Sequence, residues 1–169
     1  MKALIFFVFL GFLSAEEINS VQSIDIQKFS GLWYEVARTY NKFEKNCVAP
    51  TVEYVLEDNN KYRVHNRCFD KVMGGEMIEY HGTATPTNEG STFTMDITYY
   101  FIFTKEYRLL HLEEDYSAAV MADQNLEHLW IMSREPTMKK NILDKILAKL
   151  DLQIDLKKLI YSSENEKGA

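Results

Sequence analysis

The sequence predicts an all-β fold, an eight-stranded antiparallel up-and-down β-barrel with one C-terminal α-helix packed outside it. Three observations predict this architecture. Segments of five to nine residues rich in Val, Ile, Thr, Tyr and Phe recur between clusters of Asn, Asp, Gly and Glu. Aromatic residues form 13% of the chain, which suits the pleated surface of strands. Near the C-terminus the apolar period changes from two to about 3.6, which indicates a single helix.

The N-terminus has the pattern of a secretory signal peptide. A lysine precedes an apolar run over residues 3–13, and small residues follow it. The run is too short to cross a bilayer as a helix. We therefore expect residues 1–15 to be removed on export and residues 16–169 to form one domain, with its core over about 29–162. No Cys ends the apolar run to accept a lipid. The expected product is soluble and periplasmic or secreted, with outer-membrane association left open.

The net charge limits the choice of partners. The chain carries 19 basic and 25 acidic residues, a formal charge of −6, and loss of Lys2 with the signal peptide leaves 18 against 25, or −7. This acidity disfavours nucleic acid and anionic membrane surfaces. The apolar fraction of 46% is too high for a disordered chain, so a globular domain is expected.

Eight strands follow one another, joined by short turns. Polar or glycine-containing segments at 58–60, 71–75, 88–90 and 122–125 mark four of these turns. Strands joined in order can close on themselves, which removes exposed edges and leaves interior space for one small ligand. The predicted strands lie near residues 33–41, 50–57, 60–68, 76–85, 92–101, 107–113, 117–122 and 127–133.

An amphipathic helix is predicted over about 137–150, because apolar residues at 138, 142, 143, 146, 147 and 150 form one stripe. Thr137 is the expected N-cap, although Lys140 excludes a reciprocal capping box. So wide a stripe favours packing against the barrel over a membrane-surface or calmodulin-target helix. Residues 159–162 are expected to add a short strand, and residues 164–169 to fray.

Cys47 and Cys68 are the only cysteines, and an even pair in an exported chain favours a disulfide. In a hairpin that turns around Asp58 and Asn59, residues that face each other on the two strands have numbers that add up to about 117. The numbers of the two cysteines add up to 115, which is close to that value. One bulge or a slightly different turn would bring the two sulfurs together. Two free thiols on adjacent strands are the alternative.

Five segments, in the same order, resemble motifs of the lipocalin family, nearest to the branch of bacterial lipocalins and apolipoprotein D. The resemblance covers about residues 29–162 and implies that the protein binds a hydrophobic molecule and does not catalyse its conversion. Bacterial members are often anchored by an N-terminal lipid, and this chain lacks the Cys for that; apolipoprotein D carries a different cysteine pattern. The segments are residues 31–37 (GLWYEVA), 66–68 (NRC), 82–84 (GTA), 114–117 (EDYS) and 129–136 (LWIMSREP).

These motifs imply structural roles for Gly31, Trp33, Asp115, Tyr116 and Arg134. Trp33 offers a large rigid surface for the floor of the barrel. Arg134 can lie over that ring as a cation–π partner and bond nearby carbonyls. Gly31 lets the chain turn tightly into the strand, and Asp115 can accept backbone N–H groups in the turn between the sixth and seventh strands.

Candidate ligand contacts begin on the first strand. Period-two geometry places Trp33, Glu35, Ala37 and Thr39 on one face, so an inward Trp33 implies an inward Glu35. A carboxylate in an apolar barrel must find a donor or take up a proton. Glu35 is therefore a candidate anchor for a ligand head group, alternatively a buried acid satisfied by backbone and Tyr hydroxyls. Its candidate helpers are a water, Arg63, Arg67 or His81.

The long segment 38–48 is predicted to frame the mouth of the barrel. There Tyr40 and Phe43 contact an entering ligand or, equally, cover apolar surface without one. Met77 and Tyr99, on the fourth and fifth predicted strands, complete the candidate ligand contacts.

No catalytic set is apparent in the sequence. The four His, at 65, 81, 111 and 128, lack the spacing of a metal site, and no nucleophile elbow, phosphate-binding loop or dinucleotide motif occurs. We therefore expect no enzyme, no cofactor and no metal.

The expected partner is a small hydrophobic ligand bound for transport or storage, and the family likeness implies a fatty acid or lysophospholipid. Transient membrane contact is left open, and a monomer or weak dimer is expected. Two alternatives stand beside this. One is a lipocalin-type enzyme that acts on a lipid or terpenoid through a free thiol. The other is a partner-binding or holdase module, which a dry, side-chain-filled interior would favour.

Overall fold

The computed structural model describes residues 21–87 and 92–162. The expected signal peptide, the turn at 88–90 and the tail at 164–169 lie outside these residues. The described elements are α1 (Ile26–Phe29), β1 (Gly31–Arg38), β2 (Cys47–Leu56), β3 (Tyr62–Asp70), β4 (Met77–Thr87), β5 (Thr94–Tyr99), β6 (Phe103–Leu112), β7 (Ala118–Asp123), β8 (Leu129–Ser133), α2 (Lys140–Leu150) and β9 (Ile160–Tyr161), with short 3-10 turns at Lys42–Glu44 and Leu156–Lys158.

Strands β1 to β8 form a closed antiparallel barrel. Each strand from β2 to β7 pairs with the next, and β1 pairs with both β8 and β2. The end of β1 also pairs with β9, the short added strand that the sequence predicts. The predicted eight-stranded barrel with an outer helix is therefore confirmed.

Two apolar clusters lie on the two sides of the barrel wall, because side chains alternate along each strand. The interior cluster fills the barrel, and the outer cluster joins the wall to α2. The interior cluster contains Phe29, Trp33, Tyr54, Tyr62, Val64, Ala84, Phe93, Met95, Ile97, Leu109, Ala119, Met121 and Met132. The outer cluster contains Val36, Ala37, Leu110, Ala118, Val120, Ala122, Leu129, Ile131, Met138, Leu143, Ile146, Leu150 and Leu159.

The helix α2 packs its predicted stripe against the wall but begins later than expected. Lys139 is the N-cap and makes no side-chain cap bond, so the prediction of Thr137 as N-cap is wrong. Met138 explains the delay, because its side chain is buried in the outer cluster and the backbone is still extended at Lys139. In the described part of the chain, no helix has the length and apolar character needed to cross a membrane.

A β-bulge in β1 overturns one prediction. Pairing with β8 passes from Glu35 opposite Met132 to Ala37 opposite Ile131, which leaves Val36 as an extra residue. Val36 and Ala37 both join the outer cluster. Ala37 and Thr39 therefore do not share the inward face of Trp33 and Glu35, because strict alternation fails where a residue is inserted.

The predicted disulfide between Cys47 and Cys68 is confirmed, with Cα atoms 5.3 Å apart. Its register contains the anticipated irregularity, since the pairing of β2 with β3 shifts between Val48 and Thr51. The alternative of two free thiols is therefore wrong for this pair.

Candidate functional site

The closed end of the barrel is held by Arg134 and Trp33. The Arg134 guanidinium carbon lies 3.8 Å from the centre of the Trp33 ring. Arg134 Nη1 donates to the Leu32 carbonyl, and Nη2 donates to three carbonyls of α1 and its C-cap, at 2.7 to 3.0 Å. Trp33 is fully buried, and its Nε1 donates to the Phe29 carbonyl at 2.9 Å. The Arg134 side chain thus holds α1 against the closed end of the barrel.

The other three motif residues lie at the same end. Gly31 has φ +97°, and a Cβ there would lie 3.3 Å from Arg134 Nη1, so both backbone conformation and space favour glycine. Asp115 Oδ1 accepts from the Ser117 N–H at 3.0 Å. Tyr116 Oη accepts from the Asp25 N–H, the N-cap residue of α1, at 2.8 Å. These contacts serve the fold.

Towards the open end, the buried Glu35 and Arg38 and the half-buried Glu44 form a group that we call the inner ion cluster. Glu35 is 6% exposed and Arg38 4%. Arg38 Nη1 donates to Glu35 Oε1 at 2.7 Å, and Nη2 donates to the Glu44 carbonyl at 2.8 Å. Trp130 Nε1 donates to Glu44 Oε2 at 3.1 Å, and Arg38 Nε lies 3.9 Å from that same oxygen. Within the described residues, Arg38 Nε is buried without a hydrogen-bond acceptor.

Burial changes the protonation of this cluster. Loss of solvent, and next the charge of Glu44, raises the pKa of Glu35 to about 8, although Arg38 opposes the shift. At neutral pH the protonated form of Glu35 is therefore favoured. An uncharged Glu35 lowers the cost of burying this group away from water.

Sequence reasoning missed Arg38 as the partner of Glu35, because the bulge turns it inward. The three predicted helpers do not reach the cluster. Arg63 pairs with Glu57 at 3.2 Å, and Arg67 pairs with Glu53 and Glu79 on the outer wall. His81 also lies on that wall. Nothing in the spacing of polar residues shows a bulge in advance.

Partly buried aromatic residues surround the inner ion cluster. Tyr99, Tyr107 and Trp130 pack against the interior cluster without full burial. The Tyr107 and Trp130 rings meet edge to face at 5.5 Å, and Asn66 Nδ2 donates to Tyr99 Oη at 2.7 Å. The upper interior is therefore amphipathic, whereas Trp33, Tyr62, Phe93 and Met95 below it are fully buried.

Two small cavities lie among the described residues. One of about 20 Å³ lies beside the open end against Glu44, Asn66, Tyr80 and the disulfide. Another of about 10 Å³ lies under α2 against Leu110 and Ile146. Each is about the size of one water molecule. The lower interior is filled by fully buried side chains, so an acyl chain there would have to displace them.

The turns at the open end expose apolar side chains, and we call this surface the open rim. In an up-and-down barrel the β1–β2, β3–β4 and β5–β6 turns lie at the same end. The predicted contacts Tyr40 and Phe43 are each 59% exposed and Met77 is 57% exposed, so these three lie on the rim and not inside. The other exposed apolar rim residues are Val72, Met73, Tyr100, Phe101, Ile102 and Phe103.

The β5–β6 turn contains the most exposed apolar side chain of the open rim. Phe101 is 97% exposed, and Tyr100 and Phe101 have φ of 53° and 62°, a conformation that bulky residues rarely adopt. The prediction of a strand as far as residue 101 is wrong by two residues, because the chain turns after Tyr99. Two strained, exposed aromatic residues contribute nothing to the core.

The structure thus divides the predicted ligand contacts among several places. Glu35 and Tyr99 face the upper interior. Ala37 lies in the outer cluster, and Thr39 bonds the β7–β8 turn: its Oγ1 donates to the Glu127 carbonyl and accepts from the Leu129 N–H.

Two groups of side chains in the described residues have the composition of a metal site. One is His65, Glu79 and His81 on the outer wall, and the other is Asp123, Glu127 and His128 in the β7–β8 turn. Sequence spacing missed the first group because its histidines come from different strands.

The chain is similar to known proteins in sequence and in fold. The sequence-family model of the lipocalin-like domain matches residues 24–164 of this chain. The chain is 31% identical over 148 residues to the outer membrane lipoprotein Blc of Vibrio cholerae, covering 86% of each protein. It is 25% identical over 145 residues to apolipoprotein D of Cavia porcellus, covering 79% of this chain and 75% of that protein. Insecticyanin from the tobacco hornworm Manduca sexta has a similar fold, with TM-score 0.66, 19% identity, and coverage of 89% and 86%.

Proposed function

The chain belongs to the lipocalin family, and from that premise we propose that it binds a small hydrophobic ligand through the open end of its barrel, outside the cytoplasm. The observation that carries the proposal is the inner ion cluster together with the partly buried Tyr99, Tyr107 and Trp130 of the upper interior. A buried ion pair is weak evidence for stability, because desolvation offsets its attraction. A polar group at the mouth of an apolar barrel suits the head group of an amphipathic ligand.

We propose a fatty acid or a lysophospholipid as the ligand. Arg38 Nε is a buried cationic donor with no acceptor among the described residues, and an anionic oxygen would satisfy it. Neutral Glu35 adds no repulsion to such an oxygen at neutral pH. The tail would displace Met95, Met121 and Met132, whose unbranched side chains adapt to new neighbours at low cost.

We further propose that the open rim contacts a lipid surface transiently when the ligand is exchanged. The rim presents Phe101, Ile102, Val72 and Met73 with more than half of each side chain exposed. The signal-like N-terminus and the family likeness to an outer membrane lipoprotein support an extracytoplasmic setting for that contact.

The test of the ligand proposal compares Arg38→Gln with a matched change on the outer wall, Arg67→Gln. A charge-assisted hydrogen bond contributes about 1.5–3 kcal/mol, so Arg38→Gln should weaken binding of a long-chain fatty acid by about ten- to a hundredfold. Binding of the methyl ester should stay unchanged in both variants, and Arg67→Gln should bind the acid like the unaltered protein. Calorimetric titration measures all three. No saturable binding of acid, lysophospholipid or ester would overturn the proposal.

A second function has a specific observation in its favour, namely the lower interior filled by the fully buried Trp33, Tyr62, Phe93 and Met95. In this alternative the barrel is a scaffold, and the open rim binds apolar surface on a partner or a damaged protein. Mass spectrometry of lipid extracted from the purified protein separates the two, because a scaffold carries no stoichiometric lipid. A thiol-dependent enzyme is disfavoured, since Cys47 and Cys68 are joined to each other.

A further inference from the structure

His65 and His81 lie side by side on the outer wall of the barrel, on strands that α2 leaves uncovered. They are direct partners in the pairing of β3 with β4, and Glu79 lies two residues before His81 on the same face. His65 is the least exposed of the three side chains at 17%, against 33% for Glu79 and 60% for His81. Neither the barrel interior nor the open rim includes these residues.

The polar atoms of the three side chains converge. His65 Nδ1 lies 2.8 Å from His81 Nδ1 and 3.8 Å from Glu79 Oε1. His81 Nε2 lies 3.6 Å from Glu79 Oε2. One ligand atom from each residue can be chosen so that all lie within 4.8 Å of one another. Two imidazoles and a carboxylate therefore face one point on the surface.

We propose that His65, Glu79 and His81 bind a divalent transition-metal ion, Zn²⁺ above all. Imidazole nitrogen and carboxylate oxygen are ordinary zinc ligands, with bonds of about 2.0–2.2 Å, so a tetrahedral ion separates its ligand atoms by about 3.3 Å. A bound ion takes one ligand atom from each residue. His65 Nδ1 lies 2.8 Å from His81 Nδ1 and 3.8 Å from Glu79 Oε1, on either side of that value, so rotation of the exposed His81 and Glu79 side chains can bring one atom from each residue to the required spacing. Three protein ligands leave the fourth position open to solvent.

Arg67 positions the carboxylate for this role. Its Nε donates to Glu79 Oε1 at 2.7 Å, and its Nη1 donates to Glu53 Oε2 at 2.8 Å. Arg67 thus fixes the Glu79 side chain through one oxygen and leaves Oε2 directed towards His81. Groups that orient a metal ligand in this way raise the affinity of a site.

The second group, at Asp123, lacks these properties. Lys105 Nζ lies 2.6 Å from Asp123 Oδ2 and 3.1 Å from His128 Nδ1, so an ammonium ion already occupies the place of a metal. Asp123 also accepts the Glu127 N–H in its own turn. His128 is therefore a suitable control, a histidine beside a carboxylate that the proposal does not use.

The experiment titrates Zn²⁺ into protein purified without a histidine tag and dialysed against a chelator, with His81→Gln and His128→Gln as the paired variants. His81 is largely exposed, so its substitution should leave the circular dichroism spectrum unchanged. The unaltered protein and His128→Gln should each bind one equivalent and show a rise in Tm with Zn²⁺, and His81→Gln should lose both. Bound Co²⁺ should give d–d absorption bands in the same two proteins.

Equal zinc stoichiometry and affinity in His81→Gln and the unaltered protein would overturn the proposal. Loss of binding in His128→Gln alone would also overturn it, because the metal would then belong to the β7–β8 turn. If His81→Gln alters the spectrum, Glu79→Gln replaces it with the same expected loss.

Discussion

The two ends of the barrel are built on different principles. At the closed end Arg134 bonds four carbonyls, Trp33 is fully buried, and α1 is fastened across the floor. At the open end Phe101 is 97% exposed, and Glu35 and Arg38 form a buried ion pair. Stability explains the first set of features and not the second. The difference supports the proposed binding at the open end more strongly than any single residue there.

The largest test of this contrast substitutes the two tryptophans, one at each end. Trp33→Ala empties a fully buried site and should lower the free energy of unfolding by about 3–5 kcal/mol. Trp130→Ala, at a partly buried position, should cost less than half as much. Denaturant unfolding followed by circular dichroism measures both. Equal losses would mean that the open end is as much a part of the stabilising core as the floor.

The disulfide tests whether the open end depends on a covalent constraint. Cys47 and Cys68 are separated by 21 residues, and a loop of that size predicts a loss of about 3 kcal/mol when both are replaced by Ala. Hydrogen exchange should show the largest loss of protection at the start of β2 and the end of β3. Uniform loss around the barrel would contradict a local role for the bridge.

The pH dependence of stability tests the inner ion cluster. The pKa of Glu35 is raised from 4.5 to about 8 in the folded protein, so between these values the folded state holds a proton that the unfolded state has released. Stability should therefore fall as pH rises through that interval, by at most about 1.4 kcal/mol per pH unit. Glu35→Gln should remove this slope, as measured by urea unfolding across the interval. The same slope in both proteins would assign it to other groups.

The smallest expected effect is a gain in the stability of the folded protein. Phe101→Gly relieves an aromatic residue at φ 62° that makes little contact with the core, and should raise stability by about 0.5–1 kcal/mol. The thermal unfolding midpoint measures the change. The same variant should reduce co-sedimentation with phospholipid vesicles. A loss of stability would show that the turn contributes to the fold after all.

Much of the fold could be predicted from local patterns, because strand periodicity, turn residues and an amphipathic stripe each depend on residues that are close in sequence. The eight strands, the outer helix and the disulfide were accessible in this way. The candidate site could be predicted from sequence only in part. Ala37 and Thr39 were assigned inward by strict alternation, and the inserted Val36 reversed that parity and turned Arg38 inward instead.

The pairing of His65 with His81 was inaccessible for a second reason. It depends on the register between two strands, which local pattern fixes only to within a residue or two. The sequence predicts Tyr40 and Phe43 in the segment that frames the mouth and Met77 as a ligand contact on the fourth strand, but it does not distinguish a residue that lines the interior from one exposed on the rim.

The extra residue in β1 also bears on how such barrels diversify. Deleting Val36 would remove the bulge and leave Arg38 opposite Trp130 on the inward side, because Ala37 would then follow Glu35 in simple alternation. A strand one residue shorter at this point therefore keeps the same charged interior, whereas a regular strand of the present length would turn Thr39 inward in place of Arg38. Related barrels that lack this residue should therefore hold similar molecules.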